Sequence, residues 1–181
     1  MSRRQNGARN SLICGLLAIA AFIGIGLAAN GQEMHGSSEI DFAGFMDLGG
    51  DVFELRETRL LDLDAFNAMA AMPGTMILDA RSRDAFEAGH IDGAVNLPFS
   101  DFTDEKLAAI LPSKDTRVLI YCNNNFSDDA EPIPLKRISL ALNIPTFINL
   151  YGYGYENTFE LGVLTETTDP DVNWVSADPS L

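Results

Sequence analysis

Residues 75–98 read TMILDARSRDAFEAGHIDGAVNLP, and the order of residue types in this stretch decides the fold. Thr75 to Asp79 is a short apolar run of the kind buried on both faces of a parallel sheet. Ser82 can cap a short helix that Gly89 closes. Gly93 to Leu97 follows as another short strand, stopped by Pro98.

The flanks repeat this alternation. Upstream, Phe42, Phe45, Met46, Leu48, Val52 and Phe53 fall near helical spacing, and Gly49-Gly50 predicts two short helical pieces. Arg59 to Leu61 reads as a strand, and Asp62 or Asp64 caps a helix running to Met72. Downstream, Thr103 or Asp104 caps a helix ending at Leu111, and Arg117 to Tyr121 is the clearest strand in the chain. Pro134 to Leu142 predicts a helix with Leu135, Ile138 and Leu142 on one face, Pro134 in its first turn and Asn143 at its end. Thr146 to Leu150 reads as a final strand. Short strands alternating with short helices specify an α/β domain with a mainly parallel sheet.

A length of 181 residues suits one domain. The 12 basic and 26 acidic side chains leave a net charge of −14, which argues against a nucleic-acid partner and against docking on anionic lipid. A 46% hydrophobic content excludes a disordered chain. The cysteines, Cys14 and Cys122, cannot build a disulfide framework or a four-ligand zinc site. The acidic run Asp128, Asp129 and Glu131 lacks the calcium-loop pattern, so no metal is expected.

Residues 1–31 carry Arg3, Arg4 and Arg9, no acidic residue, and an uncharged apolar stretch from Ser11 to Ala29. Small residues follow at Gly26 and Ala28, or Ala29 and Gly31. The pattern fits a cleaved secretory signal, with an uncleaved membrane anchor as the alternative. Either way the domain is expected outside the cytoplasm, periplasmic or extracellular, touching a membrane only if this segment is retained. Without it, 9 basic residues face 26 acidic ones, a charge of −17, and Cys122 is left as the lone thiol. Residues 32–57 read as a linker and helical extension, 58–165 as the folded domain, and 166–181 as an acidic tail on the surface.

In open α/β sheets, ligands gather at the C-terminal strand ends. Cys122 sits at such an end, and Asn123, Asn124, Asn125, Phe126 and Ser127 form a turn-prone loop behind it. Backbone N–H groups and a following helix N-terminus there favour thiolate and bound anions, which predicts an accessible, ionisable thiol. The alternative is a small buried hydrophobe. The three asparagines can supply a neutral anion cradle or act only as turn formers. Asp79 and Arg81 are expected to pair and fix the strand–helix turn, and His90 to serve a structural hydrogen bond.

The run from Asp79 to Pro98 resembles the signature of rhodanese-like domains: a D-x-R strand end, a short helix, then G-H-I-x-G-A-x-N-x-P. Tyr121-Cys122 matches the family's nucleophile position. The resemblance extends over residues 59–150. It implies a three-layer α/β/α domain in which Cys122 takes sulfane sulfur as a persulfide and passes it to an acceptor. The implied partners are a small sulfur donor and a thiol acceptor, with no cofactor. The loop departs from the family's C-x-x-G-x-R pattern, because Ser127 stands at the arginine position. Related phosphatases need C-x5-R, and Asp128 holds that place, which argues against phosphatase chemistry. The missing cation supports a rival reading, a non-catalytic module binding an envelope protein or a small anion.

Overall fold

The computed structural model describes residues 39–128 and 135–176. The segment 1–31, and the residues Asp129, Glu131 and Pro134 named above, lie outside the described residues. The fold occupies the unit Ile40–Leu181.

The stretch 75–98 folds as its residue types dictate. Thr75–Asp79 is strand β2, Arg83–Ala88 a short helix, Gly89–Ile91 strand β3 and Val95–Asn96 strand β4. Ser82 caps the short helix by accepting from the Ala85 N–H at 3.3 Å. Leu60–Leu61 (β1), Arg117–Tyr121 (β5) and Thr158–Leu161 (β6) complete a five-stranded sheet of order β1-β6-β5-β2-β4. Every pairing in it is parallel.

Strand alternation then builds two cores. Leu78, Val118 and Ile120 face one side of the sheet, and Ile77, Leu119 and Tyr121 face the other. The first side packs against Val52 of helix α1 (Phe42–Glu57), Leu107 of the helix Asp104–Ile110, and Phe147 and Leu150 of the helix Asn143–Gly152. The second packs against Phe66 of the helix Leu63–Ala70, and against Phe126 and Val172. The α-helices among the described residues are α1 (Phe42–Glu57), α2 (Leu63–Ala70), α3 (Arg83–Ala88), α4 (Asp104–Ile110) and α5 (Asn143–Gly152). The result is an α/β fold with a parallel sheet covered on both faces. Each fully buried Leu, Ile or Phe contributes about 1.5–3 kcal/mol.

Four expectations are corrected. Helix α1 is one continuous helix through Gly49-Gly50. It packs on α5, where a Cβ on Gly49 would stand 3.8 Å from Ile148 and Leu48 lies against Gly152, and this tertiary contact offsets a glycine cost of about 1 kcal/mol each. The helix expected before Asn143 is absent from residues 135–142, which hold only a single 3-10 turn at Ile138–Leu140. Asn143 begins α5 instead of ending a helix, because Pro145 is tolerated in a first turn, where its missing N–H had no partner. Thr146 to Leu150 lies within α5, with the Thr146 hydroxyl donating to the Leu142 carbonyl at 2.7 Å. A short apolar run does not by itself distinguish helix from strand.

The fourth correction concerns the tail. Trp174–Ser176 forms strand β7, antiparallel to β3 in a separate two-stranded sheet, and Val172 is fully buried. The Trp174 ring sits edge-on to Phe126 at 5.0 Å and under the Arg81 guanidinium at 5.3 Å. It also covers Gly89, where a Cβ would come within 2.5 Å of the indole Nε1.

Gly89→Ala therefore forces the indole off Phe126 and Arg81. The expected cost is about 1–3 kcal/mol of overpacking. Trp174 is the single tryptophan of the chain, so its emission reports this region directly. A lowered urea midpoint with a red-shifted native emission is the expected outcome, and an unchanged melt with unchanged emission would show that the β3–β7 ribbon is not held this way.

Candidate functional site

The parallel sheet brings the ends of β2 and β5 side by side, with Asp79 in register with Tyr121. The Arg81 side chain folds back to Asp79, donating from Nε and Nη2 at 2.9 and 2.5 Å. The Tyr121 hydroxyl donates to the same carboxylate at 2.6 Å and accepts from the Ile91 N–H at 3.1 Å. Arg81 also donates to the Gly89 carbonyl at 2.6 Å and to the Asn123 side-chain oxygen at 3.2 Å. All of this is buried. Burial alone would lower the Arg81 pKa, yet Asp79 and Tyr121 together hold it above its ordinary value. The Tyr121 hydroxyl is pushed well above its usual range by burial and by the Asp79 charge. His90 donates to the Phe86 carbonyl through Nδ1 at 2.8 Å and stacks on the Phe86 ring at 3.8 Å.

Cys122 follows β5 directly. It is buried, 2% exposed, which overturns the expected accessible thiol. Burial raises its pKa above the ordinary value, and the Glu160 carboxylate adds to the rise. Backbone hydrogen bonds from Asn143, Asn124 and Leu142 oppose it. The thiol thus faces N–H groups from its own loop and from the start of α5. It borders a pocket of about 820 Å³, together with Arg56, Asn125, Arg137, Asn143 and Glu160. A second space of about 20 Å³ lies between Cys122, Arg81, Asn124, Lys136 and Leu142.

The asparagine side chains do not point at an empty cradle. Asn124 pairs with the Lys136 backbone at 2.7 and 3.2 Å. Asn125 accepts from the Cys122 N–H at 2.9 Å and donates to the Leu161 carbonyl at 2.7 Å. Their amides hold the loop, and backbone N–H groups are what face the sulfur. Phe126 is fully buried against Tyr121 and Trp174, and the Ser127 hydroxyl donates to the Thr165 carbonyl at 3.2 Å, so neither borders these pockets. Asp128 accepts from the Thr167 N–H at 2.8 Å and from the Thr167 hydroxyl.

Three residues of the site escaped the sequence reading. Arg56 lies on α1, Glu160 on β6 and Asn143 at the start of α5. Only the even burial of an acidic residue inside a strand could have drawn attention to Glu160, and β6 was not recognised as a strand. Among the described residues no group of His, Cys, Asp and Glu is arranged to hold a metal ion.

A family model described as Rhodanese-like domain matches residues 62–159, more than half of the chain. No curated protein matches. Similar solved structures include the Alr3790 protein from Anabaena sp., at 22% identity over 56% of this chain and 68% of that one, with a TM-score of 0.42. The thiosulfate sulfurtransferase from Pseudomonas aeruginosa matches at 26% identity and a TM-score of 0.40, over 58% of this chain and 17% of that one. The BH2092 protein from Bacillus halodurans matches at 14% identity and a TM-score of 0.40, over 64% and 74%.

Arg81→Ala would leave Asp79 charged, buried and without its main partner. The expected loss is about 3–5 kcal/mol, larger than for Tyr121→Phe, which leaves Asp79 Oδ2 with its Arg81 donors and deprives the Ile91 N–H of its acceptor, at about 1–3 kcal/mol. Urea denaturation of both variants checks the order. A Tyr121→Phe variant less stable than Arg81→Ala would reverse the assignment of which group holds Asp79.

Proposed function

This chain belongs to the rhodanese-like domain family, and we propose that within it Cys122 is a nucleophile that carries sulfane sulfur as a persulfide. The observation that carries this reading is the convergence of the Asn143, Asn124 and Leu142 backbone N–H groups on the thiol at the wall of an open pocket. A donor of the thiosulfate type enters through that pocket. The Cys122 thiolate attacks the outer sulfur, forms a Cys–S–S⁻ group and releases sulfite. An acceptor thiolate then attacks the outer sulfur, leaving as its own persulfide and restoring the Cys122 thiolate. The converging N–H groups stabilise the anionic sulfur at each stage, and the small space beside Arg81 and Lys136 can receive the outer sulfur atom.

The rival, a non-catalytic module that binds an envelope protein or a small anion, draws on the raised thiol pKa and the absence of a loop arginine. We also propose that residues 1–31 direct export, on the strength of three basic residues before an uncharged stretch. Fusion of residues 1–31 to a reporter enzyme active only outside the cytoplasm is the check. A silent, cytoplasmic fusion would remove this part of the reading.

For the chemistry, the purified protein is incubated with thiosulfate and its peptides are weighed. Cys122 is expected to gain the mass of one sulfur atom, removable by dithiothreitol, and Cys122→Ser to gain none. Thiosulfate is a dianion approaching a chain of net charge −14, so turnover with cyanide is expected to be slow and to rise with ionic strength. A Cys122 that stays unmodified with several donors points to the binding module. Turnover that survives Cys122→Ser would place the chemistry elsewhere.

A further inference from the structure

The pocket wall beside Cys122 contains an ion pair, its carboxylate buried and its guanidinium partly exposed, that the nucleophile loop does not supply. Arg56 of α1 grips Glu160 of β6 in a two-pronged contact, Nε to Oε2 at 2.7 Å and Nη2 to Oε1 at 2.7 Å. Glu160 is only 4% exposed. Its Oε1 also accepts from Asn143 Nδ2 at 3.1 Å. The same Asn143 amide donates to Asn125 Oδ1 at 3.1 Å, the oxygen that accepts the Cys122 backbone N–H at 2.9 Å. A chain of hydrogen bonds therefore runs from Arg56 through Glu160 and Asn143 to the backbone of Cys122, and Asn143 sits where α5 presents its N–H groups to the sulfur.

We propose that Arg56 and Glu160 are positioning residues that set the reactivity of Cys122 through Asn143. The pair does so from outside the nucleophile loop. It orients the Asn143 side chain, which pins the start of α5 and Asn125 against the cysteine. Its charges also act on the sulfur with opposite signs: the carboxylate disfavours thiolate and the guanidinium screens that carboxylate. Among the described residues, the other charged groups near Cys122 are Arg81 from the β2–α3 turn, neutralised by Asp79, and Lys136 and Arg137 from the segment before α5. Among the described residues bordering the two spaces around the thiol, Glu160 is the carboxylate.

The inference rests on Cys122 being the reacting group. Alkylation reads that group without any sulfur donor, so failure of sulfur transfer and failure of this proposal are separate results. The experiment follows iodoacetamide labelling of the Cys122 peptide against pH in the full chain, which separates it from Cys14. The wild-type profile is expected to have its midpoint above that of a free cysteine. Glu160→Gln keeps an acceptor for Asn143 and removes the charge, so the midpoint moves to lower pH and labelling at neutral pH rises severalfold. Arg56→Gln leaves Glu160 unscreened, and its midpoint moves the other way. The double variant, with no unpaired buried charge, moves to lower pH like Glu160→Gln and keeps the test open if Arg56→Gln does not fold. A profile unchanged in Glu160→Gln and in the double variant overturns the proposal. So does a shift in one common direction for Glu160→Gln and Arg56→Gln, which is the mark of simple loosening.

Discussion

The buried pair of Asp79 and Arg81 is the constraint on which the functional end of this molecule depends. Two charges removed from water cost several kcal/mol each unless every remaining lone pair and proton is matched. Here they are matched by the Tyr121 hydroxyl, the Gly89 carbonyl and the Asn123 side chain, each from a different part of the chain. The match is possible only if β2 and β5 are in register, so that Asp79 lies opposite Tyr121. It also fixes where β3 begins and how the loop after Cys122 leaves the sheet. The Arg81 guanidinium in turn lies over the Trp174 ring, so the β3–β7 ribbon is locked to the same centre. One polar cluster thereby sets the register of the central strands and the exit of the nucleophile loop.

Those features were legible in the sequence because they are local or strongly patterned. Asp79, Ala80, Arg81 and the capped helix that ends at Gly89 lie in one stretch, and β5 is an unbroken apolar run. The reading failed where tertiary contacts override local preference. Gly49-Gly50 reads as a break, yet α1 continues because Gly49 faces Ile148 of α5 and Leu48 lies against Gly152. Thr146 to Leu150 reads as a strand by composition, yet the backbone is helical and Thr146 caps an upstream carbonyl. Misplacing α5 had a direct consequence for the site. With Asn143 read as a helix end, its N–H could not be recognised as one of the groups facing Cys122. Nearness in sequence is a poor guide to charge at the thiol: Asp128 turns to Thr167, whereas Glu160 arrives from a distant strand.

Residues 123–142 separate Cys122 from the first residue of α5. A long excursion of this kind weakens the coupling between a nucleophile and the helix that follows it, because chain connectivity no longer dictates how the two meet. Something else must then hold the helix start against the sulfur. The hydrogen bonds of Asn124 to the Lys136 backbone close part of the excursion. The Asn143 amide, shared between Asn125 and Glu160, closes the rest. Both ends of the excursion are thus tied by side-chain amides, which explains why asparagine recurs at these positions without any of them serving as a free cradle.

Replacing a cation by backbone N–H groups changes what the thiol can do as well as how it is held. A nearby guanidinium would favour thiolate in every state of the site, substrate present or not. Backbone N–H groups act over hydrogen-bond distance and favour negative charge only on an atom lodged among them. Burial works against the resting thiolate, and Glu160 adds to that penalty. The balance keeps the resting cysteine protonated to higher pH than an exposed one, while a sulfur anion seated in the cradle still finds its donors in place. A thiolate of higher pKa is rarer but intrinsically more nucleophilic, with a Brønsted dependence of about 0.4–0.5, so the loss in population is only about half recovered in rate. In the proposed reading, chemistry at Cys122 is limited by how often the thiolate forms, which makes the ionisation of Cys122, more than the affinity of the pocket for a donor, the quantity that the surrounding charges control.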